Sequence, residues 1–374
     1  MRVTCKEGLK WGVPLLVISV IGLFRFFPAG AEWYARTCYP VVSAVLSAVS
    51  SVFPFSLGDC LIAGACLWVV IYPLYAWRRR KGVWCTVSVV IRFLMWVYIW
   101  FYLAWGVNYF RLSFYDRTGI ARADYSAEEF SAFLDDYVSR LNDAYDTALP
   151  LRDSTWFTVP YRIAGERRNE AVAGEVVSGY RRIAPVFGMV SPRKLLYPKW
   201  MLWSGGMSRV GVSGYMGPFL SEFNLNRDLL NVEYPFTYAH ELAHRLGIAG
   251  EAEANLYAAL VTTGSESPEI RFSGYFSLFG YVMNNARRFL PDEEYGALLR
   301  RVHPGVVDMY REHLVYWRGK YNPSAGKVQN KVYNAYLKGN KIVSGTRNYS
   351  EVVGLLMSLR QAGGVRGEMK NEEC

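Results

Sequence analysis

The sequence predicts an α-helical membrane anchor of about three transmembrane helices, followed by a mainly α, α+β extracytoplasmic domain with a small β-sheet. Three observations support this fold class. Long apolar runs occur only before about residue 110, basic residues cluster beside those runs, and apolar positions recur at helical spacing from about residue 120. We therefore predict a membrane region at 1–110, a folded domain at 120–362 and a disordered tail at 363–374.

Three apolar runs are candidate transmembrane helices, near 11–27, 61–77 and 83–107. Each is close to the length of about 20 residues that a helix needs to span a bilayer. The third run contains Arg92, a charge that we expect to pair or to reach towards the membrane surface. A shorter apolar stretch at 40–54 predicts an interfacial or re-entrant helix instead of a fourth span.

Basic residues predict the orientation. The first run is preceded by Arg2, Lys6 and Lys10, and the segment 78–81 reads Arg-Arg-Arg-Lys. Because basic clusters stay in the cytoplasm, we expect a multi-pass protein of the cytoplasmic (inner) membrane with a cytoplasmic N-terminus and an extracytoplasmic domain. As an alternative for the first run, 29–31 (Ala-Gly-Ala) resembles a signal-peptidase site, and cleavage there would leave the remaining topology unchanged.

Charge and cysteine content exclude several classes of protein. Residues 1–120 hold 12 Lys and Arg against 4 Asp and Glu, so +8 of the net charge of +10 lies in the first 120 residues. A nucleic-acid partner is therefore not expected, since it would require the positive charge on the folded domain. No Cys occurs between 86 and 373, which argues against disulfides or a Cys-ligated zinc ion. The expected partners are the lipid bilayer and a protein or peptide substrate.

The segment His240-Glu241-Leu242-Ala243-His244 has the pattern HExxH. On a helix, positions i and i+4 share one face, so His240 and His244 can bind one metal ion. Glu241 would then lie beside a metal-activated water, where a general base is needed. The alternative is that the two His lie on a solvated helix face and bind no metal.

A third ligand is predicted just after this motif. Gly247 and Gly250 allow the first helix to end, and the following sequence, EAEANLYAALV, is typical of a second helix. Glu251 and Asn255 share one face of that helix, whereas Glu253 points about 200° around the helix from Glu251. One Glu can therefore bind a metal while the other has a different role.

HExxH followed by E-x-x-A-N resembles the gluzincin metallopeptidases. The second helix is similar to the E-x-E-A-N helix of ImmA/IrrE-type peptidases and to the E-x-x-A-D helix of membrane-embedded CAAX endoproteases. This resemblance implies a zincin-like domain that binds Zn²⁺ through His240, His244 and Glu251. It also implies that Asn255 supports a motif His. Glu253 is the fallback metal ligand.

A closer resemblance is to a family of uncharacterised bacterial membrane proteins that is classed as a domain of unknown function. It runs through most of the chain and is carried by PFSLGD at 54–59, WGVNYFR at 105–111, PFTYAHELAHRLGIAGEAEAN at 235–255 and VYNAYLKGN at 332–340. It implies a membrane-anchored, zincin-like domain whose substrate is not established.

Helical and strand patterns predict the rest of the domain. Ser126 to Glu129 forms a capping box that begins a helix ending near Thr147, and another helix is predicted at 166–184. Candidate strands are Ser208–Val212 and Phe219–Asn224, directly before the HExxH helix. They form either an edge for peptide binding or a structural hairpin. Five further helices are predicted at 268–289, 292–301, 305–319, 325–338 and 348–361.

These features predict a membrane-anchored, zinc-dependent metallopeptidase that hydrolyses peptide bonds of an extracytoplasmic protein or peptide. Zn²⁺ would activate water, and Glu241 would accept its proton. Candidates for stabilising the oxyanion are His303, His313, Tyr333, Tyr336, Asn224 and Asn226. The alternative is a catalytically silent, zincin-like sensor or scaffold of the cell envelope. Glu241 distinguishes the two, since a scaffold needs no general base.

Overall fold

The computed structural model describes residues 5–161, 169–342 and 351–363, so the predicted tail lies outside the described residues apart from its first position. The chain divides into two compact units. The first consists of Met1–Leu112 and Met216–Glu222, and the second of Ser113–Tyr215 and Phe223–Cys374. The backbone therefore passes from one unit to the other three times.

The first unit is built from four long helices. They are α1 (Cys5–Phe24), α2 (Pro28–Ser51), α3 (Leu57–Arg78) and α4 (Val83–Ala104), and a short 3₁₀ turn at Gly106–Phe110 follows α4. Helices α3 and α4 are each long and apolar enough to cross a membrane. Helices α1 and α2 meet at a bend of 106° and meet the same criteria only as a pair, as a broken span or a re-entrant loop. Among the described residues there are thus two candidate spans, or three if the bent pair is one span.

The predicted start of the helix at 40–54 was wrong. Helix α2 begins twelve residues earlier, at Pro28. Proline fits the first turn of a helix, where its missing N–H would have no partner. Farther along, the carboxylate of Glu32 accepts a hydrogen bond from Arg36 one turn later, at 2.7 Å, and another from Arg111 at 2.9 Å. The pair of Glu32 with Arg36, one turn apart, stabilises the helix in this polar stretch.

The segment Met216–Glu222 contains the turn between two strands and belongs to the first unit. The buried carboxylate of Glu222 accepts hydrogen bonds from the backbone N–H of Gly58 at 2.8 Å and of Leu57 at 3.2 Å, at the start of α3. The hydroxyl of Ser56 also binds it, at 3.2 Å. A side chain at position 58 would place its Cβ only 3.0 Å from this carboxylate. The PFSLGD motif therefore forms a binding site for a carboxylate of the same chain.

The second unit is mainly helical, as predicted. Its helices are α5 (Phe114–Thr118), α6 (Ala127–Ala148), α7 (Ser154–Thr158), α8 (Glu170–Ile183), α9 (Ser204–Arg209), α10 (Tyr234–Arg245), α11 (Glu251–Thr263), α12 (Pro268–Phe289), α13 (Asp292–Arg301), α14 (Pro304–Lys320), α15 (Pro323–Gly339) and α16 (Val352–Gln361). The capping box between Ser126 and Glu129 is confirmed at the start of α6. The first residues predicted for the helices at 166–184 and 348–361 lie outside the described residues.

Three short strands form a sheet in the order β1-β3-β2, where β1 is Lys199–Trp200, β2 is Gly214–Gly217 and β3 is Glu222–Leu225. The prediction of a strand at Ser208–Val212 was wrong. Ser208 lies in the last turn of helix α9, where its hydroxyl donates to the carbonyl of Ser204, and Gly211 turns the chain with a φ of 76°. The strand predicted at Phe219–Asn224 begins later, after the positive φ of 53° at Ser221.

Helix α11, which carries the EAEAN sequence, lies in the core of the second unit. All but three of its thirteen residues are buried, as expected for a helix that other elements surround. Helix α10 packs against it, and so do α8, α12 and α16. The close approach of α8 depends on Gly179, where a Cβ would lie 2.7 Å from the side chain of Val261. The two helices of the predicted site are thus held in a rigid, close-packed environment.

Candidate metal centre

The turn between α10 and α11 brings the two halves of the predicted site together. Gly247 has a φ of 92°, which ends α10 and reverses the chain. This places the carbonyl of Ile248 2.7 Å from Nδ1 of His244. Gly250 then caps α11, so that Glu251 is the first residue of the new helix. The two glycines, which the sequence indicated as a helix end, therefore set the distance between the HExxH motif and Glu251.

His240, His244 and Glu251 are the described residues that meet as a group able to hold a metal ion. The two Nε2 atoms are 3.0 Å apart. Oε2 of Glu251 lies 3.2 Å from Nε2 of His244 and also 3.2 Å from Nε2 of His240. Ligand atoms at about 2.0–2.1 Å from a tetrahedral zinc ion would be about 3.3 Å from each other. The three side chains therefore need little movement to bind zinc.

The hydrogen bonds around the three side chains also fit a metal ion. Nδ1 of His244 donates its proton to the Ile248 carbonyl, so in the neutral imidazole Nε2 carries a lone pair. This lone pair faces Oε2 of Glu251, which is also an acceptor. Two acceptors at 3.2 Å repel each other unless a proton or a cation lies between them. The fold thus creates a point that a positive charge must occupy.

In the metal-free protein a proton supplies this charge. Burial alone would lower the pKa of His244, but the carboxylate of Glu251 outweighs burial and raises it to about 9. Burial would likewise raise the pKa of Glu251, but the neighbouring imidazoles hold it well below its usual range. His244 and Glu251 therefore form a buried ion pair at neutral pH, and a metal ion that binds there must displace the proton.

Tyr333, on α15, fixes the orientation of the Glu251 carboxylate. Its hydroxyl donates a hydrogen bond of 2.5 Å to Oε1 of Glu251, while Oε2 faces the two imidazoles. A carboxylate held in this way presents a single oxygen to the site. The sequence analysis named Tyr333 only as a candidate for the oxyanion.

Glu253, the fallback ligand, lies away from the cluster and forms an ion pair with Arg117 of α5. The Arg117 side chain is 2% exposed, so Glu253 compensates a buried positive charge. Asn255 is buried and forms a hydrogen bond with Tyr281 of α12. Nδ1 of His240 has no hydrogen-bond partner among the described residues, so the predicted support by Asn255 is not seen at that atom.

Glu241 is buried beside the cluster, and burial raises its pKa to about 7. Its Oε2 atom has no hydrogen-bond partner among the described residues. Strand β2 passes very close to it: a Cβ at Gly214 would lie 2.4 Å from Oε1 of Glu241. The glycine therefore lets the edge of the sheet contact the predicted general base. A buried carboxyl with a pKa near neutrality is suited to accepting and donating protons.

A cavity of about 750 Å³ opens onto the cluster. His240 and Glu241 lie on one side of it, and Gly214 and Tyr215 of β2 border it. The remaining lining is largely aromatic and amide-bearing, and it includes Phe236, Phe276, Tyr281, Tyr310, Asn284, Gln329, Asn330 and Tyr333. A volume of this size is typical of a ligand-binding site.

His313, on α14, lines the same cavity. Its Nε2 atom is 2.9 Å from Oε1 of Glu233, and the indole N–H of Trp317 donates to the same carboxylate at 2.9 Å. Glu233 also accepts the backbone N–H of Leu230, so several donors fix its position. Nδ1 of His313 is buried and has no hydrogen-bond partner among the described residues. The imidazole is therefore oriented by a carboxylate at one nitrogen.

The other oxyanion candidates have structural roles or lie away from the cavity lining. Nδ1 of His303 accepts the backbone N–H of Gly305 and so caps α14. The amide of Asn226 donates to the carbonyl of Val212 at 2.8 Å and stabilises the loop before β2. Asn224 is fully buried in β3. Tyr336 stacks on Tyr333 with ring centres 6.0 Å apart and does not line the cavity.

Sequence analysis missed three residues that contribute to this site: Gly214, Arg117 and Glu233. It named His313 only as one of six candidates for the oxyanion. Gly214 stood in a glycine-rich stretch, where nothing distinguishes a close approach from a turn. Arg117 and Glu233 lie far from their partners in the sequence. Tyr333 had a usable signal, since it belongs to the VYNAYLKGN motif that carried the family resemblance.

The chain matches the model of a family described as "Protein of unknown function (DUF3810)" over residues 34–357. No match was found among curated proteins or among solved structures. The matched range contains α3, α4, the HExxH helix and Tyr333. Because it covers well over half of the 374 residues, the chain belongs to the DUF3810 family.

Proposed function

We propose that this protein is a membrane-anchored zinc metallopeptidase that hydrolyses peptide bonds of an extracytoplasmic protein or peptide. One observation carries the proposal: Nε2 of His240, Nε2 of His244 and Oε2 of Glu251 lie within 3.0–3.2 Å of each other, beside the buried Glu241 and at a cavity. Two imidazoles and a carboxylate are a ligand set that catalytic zinc sites use, with a fourth position left for water or substrate.

Each side chain has a distinct task in this proposal. Bound Zn²⁺ would supply Lewis acidity, which acidifies water and polarises a peptide carbonyl. Glu241 accepts a proton from the attacking water and passes it to the nitrogen of the leaving amine. The Ile248 carbonyl holds His244 in the tautomer whose Nε2 can bind a metal. Tyr333 holds Glu251 so that one oxygen faces the site.

Strand β2 is the part of the cavity best suited to an extended peptide. Within the described sheet it is an edge strand, and its residues Gly214 and Tyr215 border the cavity next to Glu241. An extended chain can add to such an edge through backbone hydrogen bonds, which do not depend on the substrate sequence. The proposal therefore favours a peptide bond over a smaller substrate.

We assign the stabilisation of the oxyanion to His313. Glu233 fixes its Nε2 at 2.9 Å, Nδ1 has no hydrogen-bond partner among the described residues, and the side chain lines the cavity that His240 and Glu241 also line. A donor held in place by a carboxylate costs little reorganisation when negative charge develops on the substrate oxygen.

The proposed location of the domain outside the cytoplasm rests on the basic cluster at 78–81, between α3 and α4. If both helices cross the membrane and this cluster is cytoplasmic, the chain after α4 is outside, whether or not α1 and α2 form a third span. Alkaline phosphatase fused after residue 112 should then be active, and the same enzyme fused after residue 80 should be inactive. The reverse result would place the domain in the cytoplasm.

The test of the function is the variant Glu241→Gln. Peptides released by cells that carry the wild-type protein are compared with those from cells that carry this variant, and the purified proteins are assayed on the peptides that differ. We expect Glu241→Gln to retain zinc and to lose cleavage, whereas Glu312→Gln, an exposed change of the same kind, should retain both. Zinc binding without Glu241-dependent cleavage would instead support the sensor or scaffold.

A further inference from the structure

Helix α12 lines the cavity beside the metal cluster with Phe276, Gly280 and Asn284, which are spaced four residues apart and so share one face. Tyr310 of α14 lies against this face and lines the same cavity. We propose that the ring of Tyr310 receives an aromatic side chain of the substrate, on the residue whose carbonyl is attacked. The inference rests on the proposed peptidase function and names the class of peptide that the cavity selects.

Gly280 determines where the Tyr310 ring lies. A Cβ at position 280 would be 2.4 Å from the hydroxyl oxygen of Tyr310 and 3.4 Å from its Cζ, so only glycine lets the phenol lie directly against α12. The buried rings of Phe276 and Phe279 pack on Tyr310, with centres 5.9 Å and 4.8 Å from it. Because Tyr310 is already held in place, a ligand that packs on it orders few additional side chains.

Tyr310 is next to the side chain that we assign to the oxyanion. Its ring stacks on the imidazole of His313 with centres 5.6 Å apart and planes inclined by 26°. In a peptide, the attacked carbonyl carbon is bonded to the Cα of its own residue. When the oxygen of that carbonyl faces His313, the side chain of the same residue is therefore the one nearest to Tyr310. Tyr310 is only partly buried, so it has surface left for such a contact.

The charges of the cavity exclude an acidic side chain at this position. Neither Lys nor Arg occurs among the described residues that line it, and its charged groups are the carboxylates of Glu233 and Glu241. A substrate carboxylate would lose hydration there without a cationic side chain to pair with. A basic side chain is also not favoured by Glu233, because both oxygens of that carboxylate already accept hydrogen bonds, from His313, Trp317 and the backbone of Leu230.

An aromatic side chain fits the remaining lining. Aromatic rings that meet edge to face or offset gain more than the buried area alone provides, and Tyr310 offers such a partner. The polar side chains Asn284, Gln329 and Asn330 carry neutral amides, which can bind a peptide backbone of any sequence. The lining thus favours an uncharged peptide segment with an aromatic residue at the cleaved bond.

The experiment measures ligand binding to the full-length, zinc-loaded protein, so that cleavage plays no part. The probes are the α-hydroxamates of N-acetylated phenylalanine, leucine, lysine, glutamate and glycine, which share one zinc-binding group and differ only in the side chain. We expect the phenylalanine compound to bind most tightly, by about tenfold or more over the glycine compound, and the glutamate compound to bind no more tightly than glycine. Equal affinities, or tightest binding of the leucine, lysine or glutamate compound, would overturn the proposal.

Variants locate the contact. In Gly280→Ala the added methyl group displaces the Tyr310 ring, so the affinity ratio of the phenylalanine and glycine compounds should fall by about tenfold. Gly319→Ala, on the same helix as Tyr310, meets nothing within 4 Å and should keep the wild-type ratio. If Gly280→Ala does not fold, Tyr310→Leu replaces the ring with an apolar side chain and should lower the ratio as well. A wild-type ratio in either folded variant would refute the role of Tyr310.

The glycine compound separates this inference from the proposed function. It depends on the zinc site alone, so its failure to bind would refute the proposed metal centre and the inference together. If it binds as tightly as the other four compounds, the metal centre stands and the selection by Tyr310 is wrong. A preference for the phenylalanine compound in a protein that shows no Glu241-dependent cleavage would support the inference and refute the proposed hydrolysis.

Discussion

Gly214 lies in contact with Glu241: a Cβ placed on this glycine would be 2.4 Å from Oε1 and 2.7 Å from Cγ of the glutamate. No side chain can occupy that position unless Glu241 moves. Strand β2 and Glu241 are therefore packed so closely that a single methyl group on the strand would displace the proposed general base.

The variant Gly214→Ala should retain zinc and lose activity. The methyl group displaces Glu241, because the three atoms nearest to it all belong to that side chain. A displacement of about 1 Å can cost on the order of 100-fold in rate, so we expect kcat to fall by about that factor. The control is Gly205→Ala on helix α9, where nothing lies within 4 Å of the added Cβ. Wild-type kcat in Gly214→Ala would show that Glu241 need not occupy the observed position.

The two glutamates at the start of α11 should respond differently to removal. Glu251→Ala should abolish stoichiometric zinc binding, because Oε2 of Glu251 is the atom that faces both imidazoles. Glu253→Ala should retain zinc but lower the free energy of unfolding by about 3 kcal/mol, because Arg117 loses the carboxylate that compensates its buried charge. Metal analysis and thermal unfolding of the purified variants distinguish these effects. Zinc loss in Glu253→Ala alone would exchange the two roles.

Tyr333→Phe should weaken zinc binding by about tenfold without removing any ligand. The variant loses only the hydroxyl that holds Oε1 of Glu251 at 2.5 Å, and support of this kind contributes about 10–100-fold to metal affinity. Tyr336→Phe removes a hydroxyl from the neighbouring stacked ring and serves as the control. Competition with a zinc chelator gives both affinities. An unchanged affinity in Tyr333→Phe would mean that the carboxylate keeps its orientation without the hydrogen bond.

Zinc affinity should increase with pH up to about 9. Folding raises the pKa of His244 from 6.5 to about 9, so the metal-free protein gains stability from this proton below pH 6.5 and loses it as the pH rises through 9. A zinc ion displaces the proton, so its binding near pH 7.5 should release about one proton. Calorimetry in buffers with different ionisation enthalpies counts that proton. Zinc binding without proton release would show that His244 is neutral in the metal-free protein.

His313→Gln should lower kcat on the order of 100-fold and leave zinc content and KM nearly unchanged. The change removes a donor that acts only when negative charge develops on the substrate. His303→Gln is the matched control, because His303 caps α14 and does not line the cavity. A rise in KM at constant kcat would indicate that His313 binds the substrate in its ground state instead.

Local sequence signals predicted most helices well. The capping box of Ser126 with Glu129 and the helical spacing at 268–338 gave boundaries within about two residues, because caps and periodicity are properties of neighbouring residues. The strands were predicted less well. Each has two to four residues, so no alternating pattern can develop, and the position of the hairpin depends on the contacts of Glu222.

At the candidate site, too, the sequence predicted the residues that are close together in the chain and did not assign those that only the fold brings together. The motif spacing indicated His240, His244, Glu241 and Glu251, because all four lie within twelve consecutive residues. Tyr333 and His313 reach the site from helices that begin more than fifty residues downstream of Glu251. Only packing in three dimensions decides whether such side chains bind the substrate, support a ligand or stabilise a helix end.

The hairpin tip at Met216–Glu222 has a practical consequence. Its hydrogen-bond partners, such as Gly58 and Trp100, are in the first unit, although the two strands that it joins continue into the second unit. A fragment that starts at Ser113 would therefore expose a carboxylate and a loop whose binding partners have been deleted. A soluble form suited to crystallisation would need a redesigned tip, for example a two-residue turn between β2 and β3, as well as the removal of residues 1–112.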